Sequence, residues 1–156
     1  MRVVVAGTFG LVHDGHQRLF ETALRYGEEV VVAVTSDELA RASRTRAVPP
    51  FAERMERVEQ AVATLNEWHR SVDFRTLDDE HGFAATDPHI DALVVSPETA
   101  PELADINERR RDRGLEPIEG IVAPYVLADD GERISSTRIV AGEINEHGTV
   151  LDANGS

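Results

Sequence analysis

The feature that most constrains this chain is an alternation of two hydrophobic patterns. Short runs rich in β-branched residues are separated by longer stretches whose apolar residues recur at helical spacing. A run such as Val3-Val4-Val5 is apolar on both faces when extended, which suits a strand buried on both sides. Arg2–Ala6 begins the series, and Val30–Thr35, Val72–Leu77, Ala92–Val95 and Pro117–Ala123 continue it. The intervening pattern predicts a helix over Asp14–Tyr26, with Leu19, Phe20, Ala23 and Leu24 on one face and Gly27 as its stop. It predicts a short helix capped by Ser36 or Asp37 and running through Ala42. A long helix is expected over Ala52–Trp68, with Met55, Val58, Val62 and Leu65 as its core stripe, and another from Pro97 to Arg113, closed by Gly114. Ser43–Val48 reads as a polar loop ending in Pro49-Pro50, and Asp78–His89 as a loop with one helical turn. Ala128–Arg133 reads as a loop, Ser135–Ala141 as a short helix, and Asn145 to Ser156 as a polar, frayed tail.

Strands alternating with helices imply right-handed crossovers and an α/β fold, a five-stranded parallel sheet with helices on both faces. The chain's 156 residues suit one domain. With no repeat or dividing linker, that domain is expected over residues 1–148, followed by a polar tail at 149–156. In such sheets ligands bind beyond the carboxyl ends of the strands, at a switch point in strand order. Polar residues gather in three suitable places: after the first strand, after the fourth, and before the last helix.

Composition removes several functional classes. There is no cysteine, which excludes a disulfide scaffold, a thiolate zinc site and a cysteine nucleophile. The longest apolar runs are far short of the ~20 residues that span a bilayer, and Met1-Arg2-Val3 leads into a strand without a signal-peptide pattern. The expectation is a soluble, cytoplasmic protein that binds no membrane. The net charge is −13, from 29 acidic and 16 basic residues. All the basic residues are arginine. Such a chain repels nucleic acid phosphates. Acidity without lysine also suits a salt-loaded cytoplasm, where charges are screened; an acidic protein of a GC-rich genome would look similar.

After the first strand comes Gly7-Thr8-Phe9-Gly10-Leu11-Val12-His13-Asp14-Gly15-His16. Gly7 allows a sharp turn and close approach to a ligand. His13 and His16, three apart, share a face at a helix start, where free amides and the helix dipole favour anions. The arrangement suggests a phosphate pocket, although it has neither P-loop nor dinucleotide-fingerprint spacing. An isolated His-x-x-His is more often a loop residue and a solvated one, with Asp14 as the cap; a metal site would need a third ligand. The second element is Arg133-Ile134-Ser135-Ser136-Thr137-Arg138-Ile139. One hydroxyl there would be an ordinary cap. Three together, with free amides and Arg138, suit a polyphosphate cradle.

Together these stretches resemble the nucleotidylyltransferase superfamily. Its first motif, G-T-F-x-x-x-H-x-G-H, is matched from Gly7 to His16 at every fixed position, and its I-S-S-T-x-x motif by Ile134–Ile139. Within it, Val34-Thr35-Ser36-Asp37, Val95-Ser96-Pro97-Glu98-Thr99 and Ile106-Asn107-Glu108 with Arg110, Gly114 and Leu115 resemble phosphopantetheine adenylyltransferase of the archaeal type, over roughly residues 2–148. The resemblance implies a Rossmann-like nucleotidyltransferase domain that joins the adenylyl group of ATP to 4′-phosphopantetheine, giving dephospho-coenzyme A and pyrophosphate. The attack would be direct and in line, with no covalent intermediate. By matching positions, the resemblance implies that His16 and Thr8 are catalytic. His16 meets the α-phosphate, and Thr8 bridges it to the attacking phosphate. Gly7, Phe9, His13, Arg110, Ser135, Ser136, Thr137 and Arg138 complete the ATP site. Thr8, Ser96 and Arg44 or Arg46 bind phosphopantetheine. Mg²⁺ would arrive on ATP rather than in a protein cage.

Two departures stand out. Bacterial members have Asp-Pro where this chain has Gly10-Leu11, and they carry a lysine in the loop after strand two, for which Arg44 or Arg46 is the substitute here. Arg109, Arg110, Arg111 and Arg113 cannot all face one ligand from one helix, and Asn107 is an assisting candidate. His69, His81, His89 and His147 read as surface residues and Trp68 as core. Bacterial relatives form hexamers, but no stripe here demands an oligomer. A sister enzyme remains open, using CTP with a phospho-alcohol or ATP with a flavin or nicotinamide mononucleotide. So does a non-catalytic ATP sensor.

Overall fold

The computed structural model describes residues 1–10, 12–43, 48–78, 82–97, 100–123, 130 and 147–148. Five strands, β1 (Arg2–Gly7), β2 (Glu29–Thr35), β3 (Ser71–Leu77), β4 (Ala92–Val95) and β5 (Glu119–Val122), form one sheet in the order β3-β2-β1-β4-β5. Every pairing is parallel. The helices are α1 (Asp14–Tyr26), α2 (Asp37–Ser43), α3 (Phe51–Leu65) and α4 (Glu102–Asp112), and a 3-10 turn covers Gly82–Ala85.

The valine runs serve two faces at once. Val3, Val5, Val30, Val32 and Val34 pack with Phe20, Leu24, Val58 and Val62, on the side of α1 and α3. Val4, Val31, Leu93 and Val95 pack with Ile106 and Ile118, on the side of α4. The period-two alternation of a strand thus feeds two apolar layers, which is why these strands read as continuous hydrophobic runs.

Helix ends depart from the expected spans for local reasons. α3 stops at Leu65 rather than Trp68. Asn66 Nδ2 donates to the Arg70 carbonyl (3.0 Å), and Asn66 Oδ1 accepts from the Arg70 amide (2.8 Å), tying off the turn in which His69 adopts a left-handed φ of 55°. α4 starts at Glu102, five residues beyond Pro97, because Pro101 disfavours helical backbone at residue 100. Its far end fulfils the expectation. Gly114 (φ 75°) sends its amide to the Arg111 carbonyl and Leu115 sends its amide to the Arg110 carbonyl, a Schellman cap. Ser36, not Asp37, caps α2: Ser36 Oγ accepts from the Leu39 amide at 3.1 Å.

The switch in strand order falls between β1 and β4. Among the described residues their ladder joins only Val3 with Ala92 and Val4 with Leu93, though β1 runs on to Gly7 and β4 to Val95. The two strands therefore part towards their carboxyl ends, which opens a crevice where the polar residues after β1 and β4 lie.

Candidate active site

The stretch leaving β1 makes its turn at Phe9, not at the glycine. Phe9 has φ 52°, a left-handed conformation rare for an aromatic residue. Gly7 is needed for space: a Cβ there would stand 2.9 Å from the Phe9 ring. The folded-back ring is buried, lies 5.0 Å from the Phe20 ring, and meets the His16 ring edge-on at 5.1 Å.

The two histidines form a reciprocal capping box at the start of α1. His13 Nδ1 accepts from the Gly15 amide (3.0 Å) and the His16 amide (3.3 Å), and His16 Nδ1 accepts from the His13 amide (3.4 Å). The rings stack at 3.8 Å with 16° between their planes. This corrects the expectation of free amides at the helix start. Two first-turn amides are satisfied by an imidazole, and the Gln17 amide bonds the His13 carbonyl. An amide can only donate, so each Nδ1 must offer a lone pair. The proton of the neutral ring then sits on Nε2, at the opposite side.

Burial holds His13 neutral. It is 6% exposed, and desolvation lowers its pKa from 6.5 to about 4, against the opposing pull of the Asp14 carboxylate. Asp14 also meets His147. His147 Nδ1 lies 3.0 Å from Asp14 Oδ1, so His147, expected in a frayed tail, is docked beside the histidine pair although its side chain is 65% exposed.

A residue that sequence reasoning passed over underlies the site. Arg54 of α3 is 0% exposed. Its Nε donates to the Pro49 carbonyl (2.8 Å). Nη1 donates to the Thr8 carbonyl (2.9 Å), the Thr35 carbonyl (2.8 Å) and Thr35 Oγ1 (3.3 Å), and Nη2 to Asp37 Oδ1 (3.0 Å). Asp37 Oδ1 also accepts from the Phe51 amide at 2.9 Å, capping α3. The sole signal in the sequence was an arginine one position before Met55 of an apolar stripe.

Arg110 requires correction. Expected at the ATP phosphates, it is 1% exposed. Its Nε donates to the Glu116 carbonyl (2.6 Å) and its Nη1 to the carbonyls of Ala84 (2.9 Å) and Asp87 (2.8 Å). The guanidinium fastens the 3-10 turn to α4 and does not face a ligand. Asn107 is likewise structural, exchanging bonds with the Ile118 backbone at 3.1 and 2.8 Å. The fold brings Gly7, Thr8, Phe9, His13 and His16 together after β1, and Ser96 follows β4 across the crevice. Arg44, Arg46, Ser135, Ser136, Thr137 and Arg138 lie outside the described residues. A hollow of about 330 Å³ at the opposite end of the strands is lined by Met1, Arg2, Glu28, Glu29, His89 and Asp91, and there the amino terminus and Arg2 pair with Glu28 and Glu29.

Residues 4–142 match the family model described as cytidylyltransferase-like. The phosphopantetheine adenylyltransferase of Methanopyrus kandleri is 44% identical over 93% of this chain and 91% of its own length. That of Methanothermobacter thermautotrophicus is 42% identical over 96% of this chain and 88% of its own. The chain belongs to the phosphopantetheine adenylyltransferase family. A solved structure from Archaeoglobus fulgidus, described as a protein with unknown function, superposes with a TM-score of 0.69 at 34% identity, covering 78% of this chain and 88% of that one. No helix among the described residues is long and apolar enough to cross a membrane.

Proposed function

We propose that this protein transfers the adenylyl group of ATP to 4′-phosphopantetheine, forming dephospho-coenzyme A and pyrophosphate in coenzyme A biosynthesis. Family membership over nearly the whole chain supports the reaction. The single observation carrying the chemistry is the stacked histidine pair, whose Nδ1 atoms are bound to backbone amides at the mouth of the β1–β4 crevice.

The attacking group is a phosphate oxygen, ionised at neutral pH, so the reaction needs no general base. The protein's task is to align that oxygen with the α-phosphorus and to meet charge developing on the transferred group. Imidazoles fixed as Nε2–H donors do this without rearranging during the reaction. In this reading His16 donates to the α-phosphate, Thr8 bridges it to the attacking phosphate, and His13 lies along the polyphosphate. Gly7 and Phe9 shape the floor. Ser135, Ser136, Thr137 and Arg138 cradle the β- and γ-phosphates. Arg44 or Arg46, with Ser96, receives phosphopantetheine.

Mg²⁺ belongs to this reading as a companion of ATP, neutralising phosphate charge. Among the described residues no group of three or more His, Asp or Glu is placed to hold a metal, and magnesium favours phosphates and water over protein cages. The reaction is placed in a salt-loaded cytoplasm, in keeping with the net charge of −13 and the absence of lysine.

The test is pyrophosphate release in molar KCl with Mg²⁺, crossing ATP and CTP against 4′-phosphopantetheine, a phospho-alcohol, flavin mononucleotide and nicotinamide mononucleotide. Release with ATP and 4′-phosphopantetheine alone is the expected result. Turnover on another pair, or ATP binding without turnover on any acceptor, would overturn the proposal. In the same assay, His16→Ala lowers kcat by ~10² or more with little change in ATP affinity.

A further inference from the structure

We propose that Arg54 is a positioning residue for the transfer reaction: it holds the Thr8 carbonyl, which fixes the Phe9 turn, which in turn orients the His16 imidazole. The role in turnover rests on the proposed function; the geometric role does not.

A guanidinium removed from water is tolerated only where its N–H groups are met, and a buried ion pair is poor evidence for added stability. The partners of Arg54 show what it does instead. They come from the end of β1 (Thr8), the end of β2 (Thr35), the start of α2 (Asp37) and the loop entering α3 (Pro49). Two of those segments are the carboxyl ends of neighbouring strands, the edge on which the histidine pair sits.

The Thr8 carbonyl and the Phe9 amide belong to one rigid peptide plane. Fixing that carbonyl at 2.9 Å from Nη1 fixes the plane from which the Phe9 φ of 52° is turned. A left-handed aromatic residue persists only where its surroundings over-determine it. Here the constraints are the arginine behind the turn and the packing of the ring against Gly7, Phe20 and His16. The Phe9 ring meets the His16 ring edge-on at 5.1 Å, and the His13 ring stacks on it at 3.8 Å. A shift of the Thr8 peptide would therefore reach the imidazole directly. Lysine cannot substitute, because one ammonium point cannot meet carbonyls and a carboxylate arranged around a planar fork.

The experiment is a double-mutant cycle of Arg54→Lys with His16→Ala, using Val58→Ala from the same helix as a stability control. Arg54→Lys is expected to lower kcat by ~10-fold or more, with KM for ATP within about threefold. In the His16→Ala background the same change is expected to lower kcat by no more than about twofold, since both act through one group. Val58→Ala is expected to leave kcat unchanged. A full multiplicative loss in the His16→Ala background, or an unchanged kcat in Arg54→Lys alone, overturns the proposal. Should Arg54→Lys not fold, Asp37→Ala at the rim of the clamp is expected to give a loss of about threefold with the same non-additivity; additive losses overturn it equally. An arm independent of substrate is the imidazole ¹⁵N spectrum of His16, displaced in Arg54→Lys (or Asp37→Ala) and not in Val58→Ala. An unmoved resonance overturns the proposal even if wild type adenylates none of the acceptors, a result that counts against the proposed function alone.

Discussion

An imidazole buried as a helix cap has a built-in direction of pH response. His13 is held neutral by desolvation, with its pKa lowered to about 4. Between the ordinary value near 6.5 and that point, the unfolded chain binds a proton there and the folded one does not, so stability falls as pH drops through this window and is level above it. Asn caps a helix as well as His but cannot charge. His13→Asn is therefore expected to flatten the decline of melting temperature between pH 6.5 and 4; an unchanged slope would contradict the assignment. The histidine spacing was legible in the sequence because a helix start places residues three apart together. Arg54 was not legible, because its partners are mainly backbone carbonyls, which any residue supplies. Arg110 misled for the same reason: a guanidinium fits carbonyl oxygens as readily as phosphate, and the sequence does not say which it meets.

At the scale of elements, the central strands were readable because burial on both faces leaves an unbroken apolar run, as in Val30-Val31-Val32. Their neighbours' ends were less so. The termini of α3 and α4 are set by bonds between side chain and backbone and by Pro101, which hydrophobic period does not register. Gly114 is the exception, since a left-handed residue closing a helix leaves a mark in composition. A Cβ there would meet nothing within 4 Å, so Gly114→Ala isolates the conformational cost. It should destabilise by about 1 kcal/mol, read as a lower urea midpoint with unchanged slope. Arg70 acts at another end: its Nε donates to the Leu24 carbonyl at 3.0 Å, placing a cation at the C-terminus of α1.

For the whole molecule, strand order does the decisive work. Crossing from β3 over to β4 makes the carboxyl ends of β1 and β4 neighbours in the sheet, each followed by its polar segment. A ligand site at carboxyl ends beside a switch point was expected from the βαβ alternation. The docking of His147 on Asp14 was not, because a single exposed histidine carries no pattern. The charge of −13 acts over the same scale. Repulsion among carboxylates weakens with screening, so the melting temperature should rise by about 5 °C or more between dilute and molar KCl; a flat response would remove the salt-loaded reading.

Receipt of the nucleotide by the backbone-anchored histidine pair, as proposed, is checked by ¹⁵N spectra of the rings recorded from pH 8 down to 4, with and without Mg-ATP. His13 should keep its proton on Nε2, remain untitrated until close to pH 4, and shift at Nε2 together with His16 when Mg-ATP is added. Ordinary titration of His13 near 6.5, or nucleotide that binds while both rings stay unmoved, would contradict it.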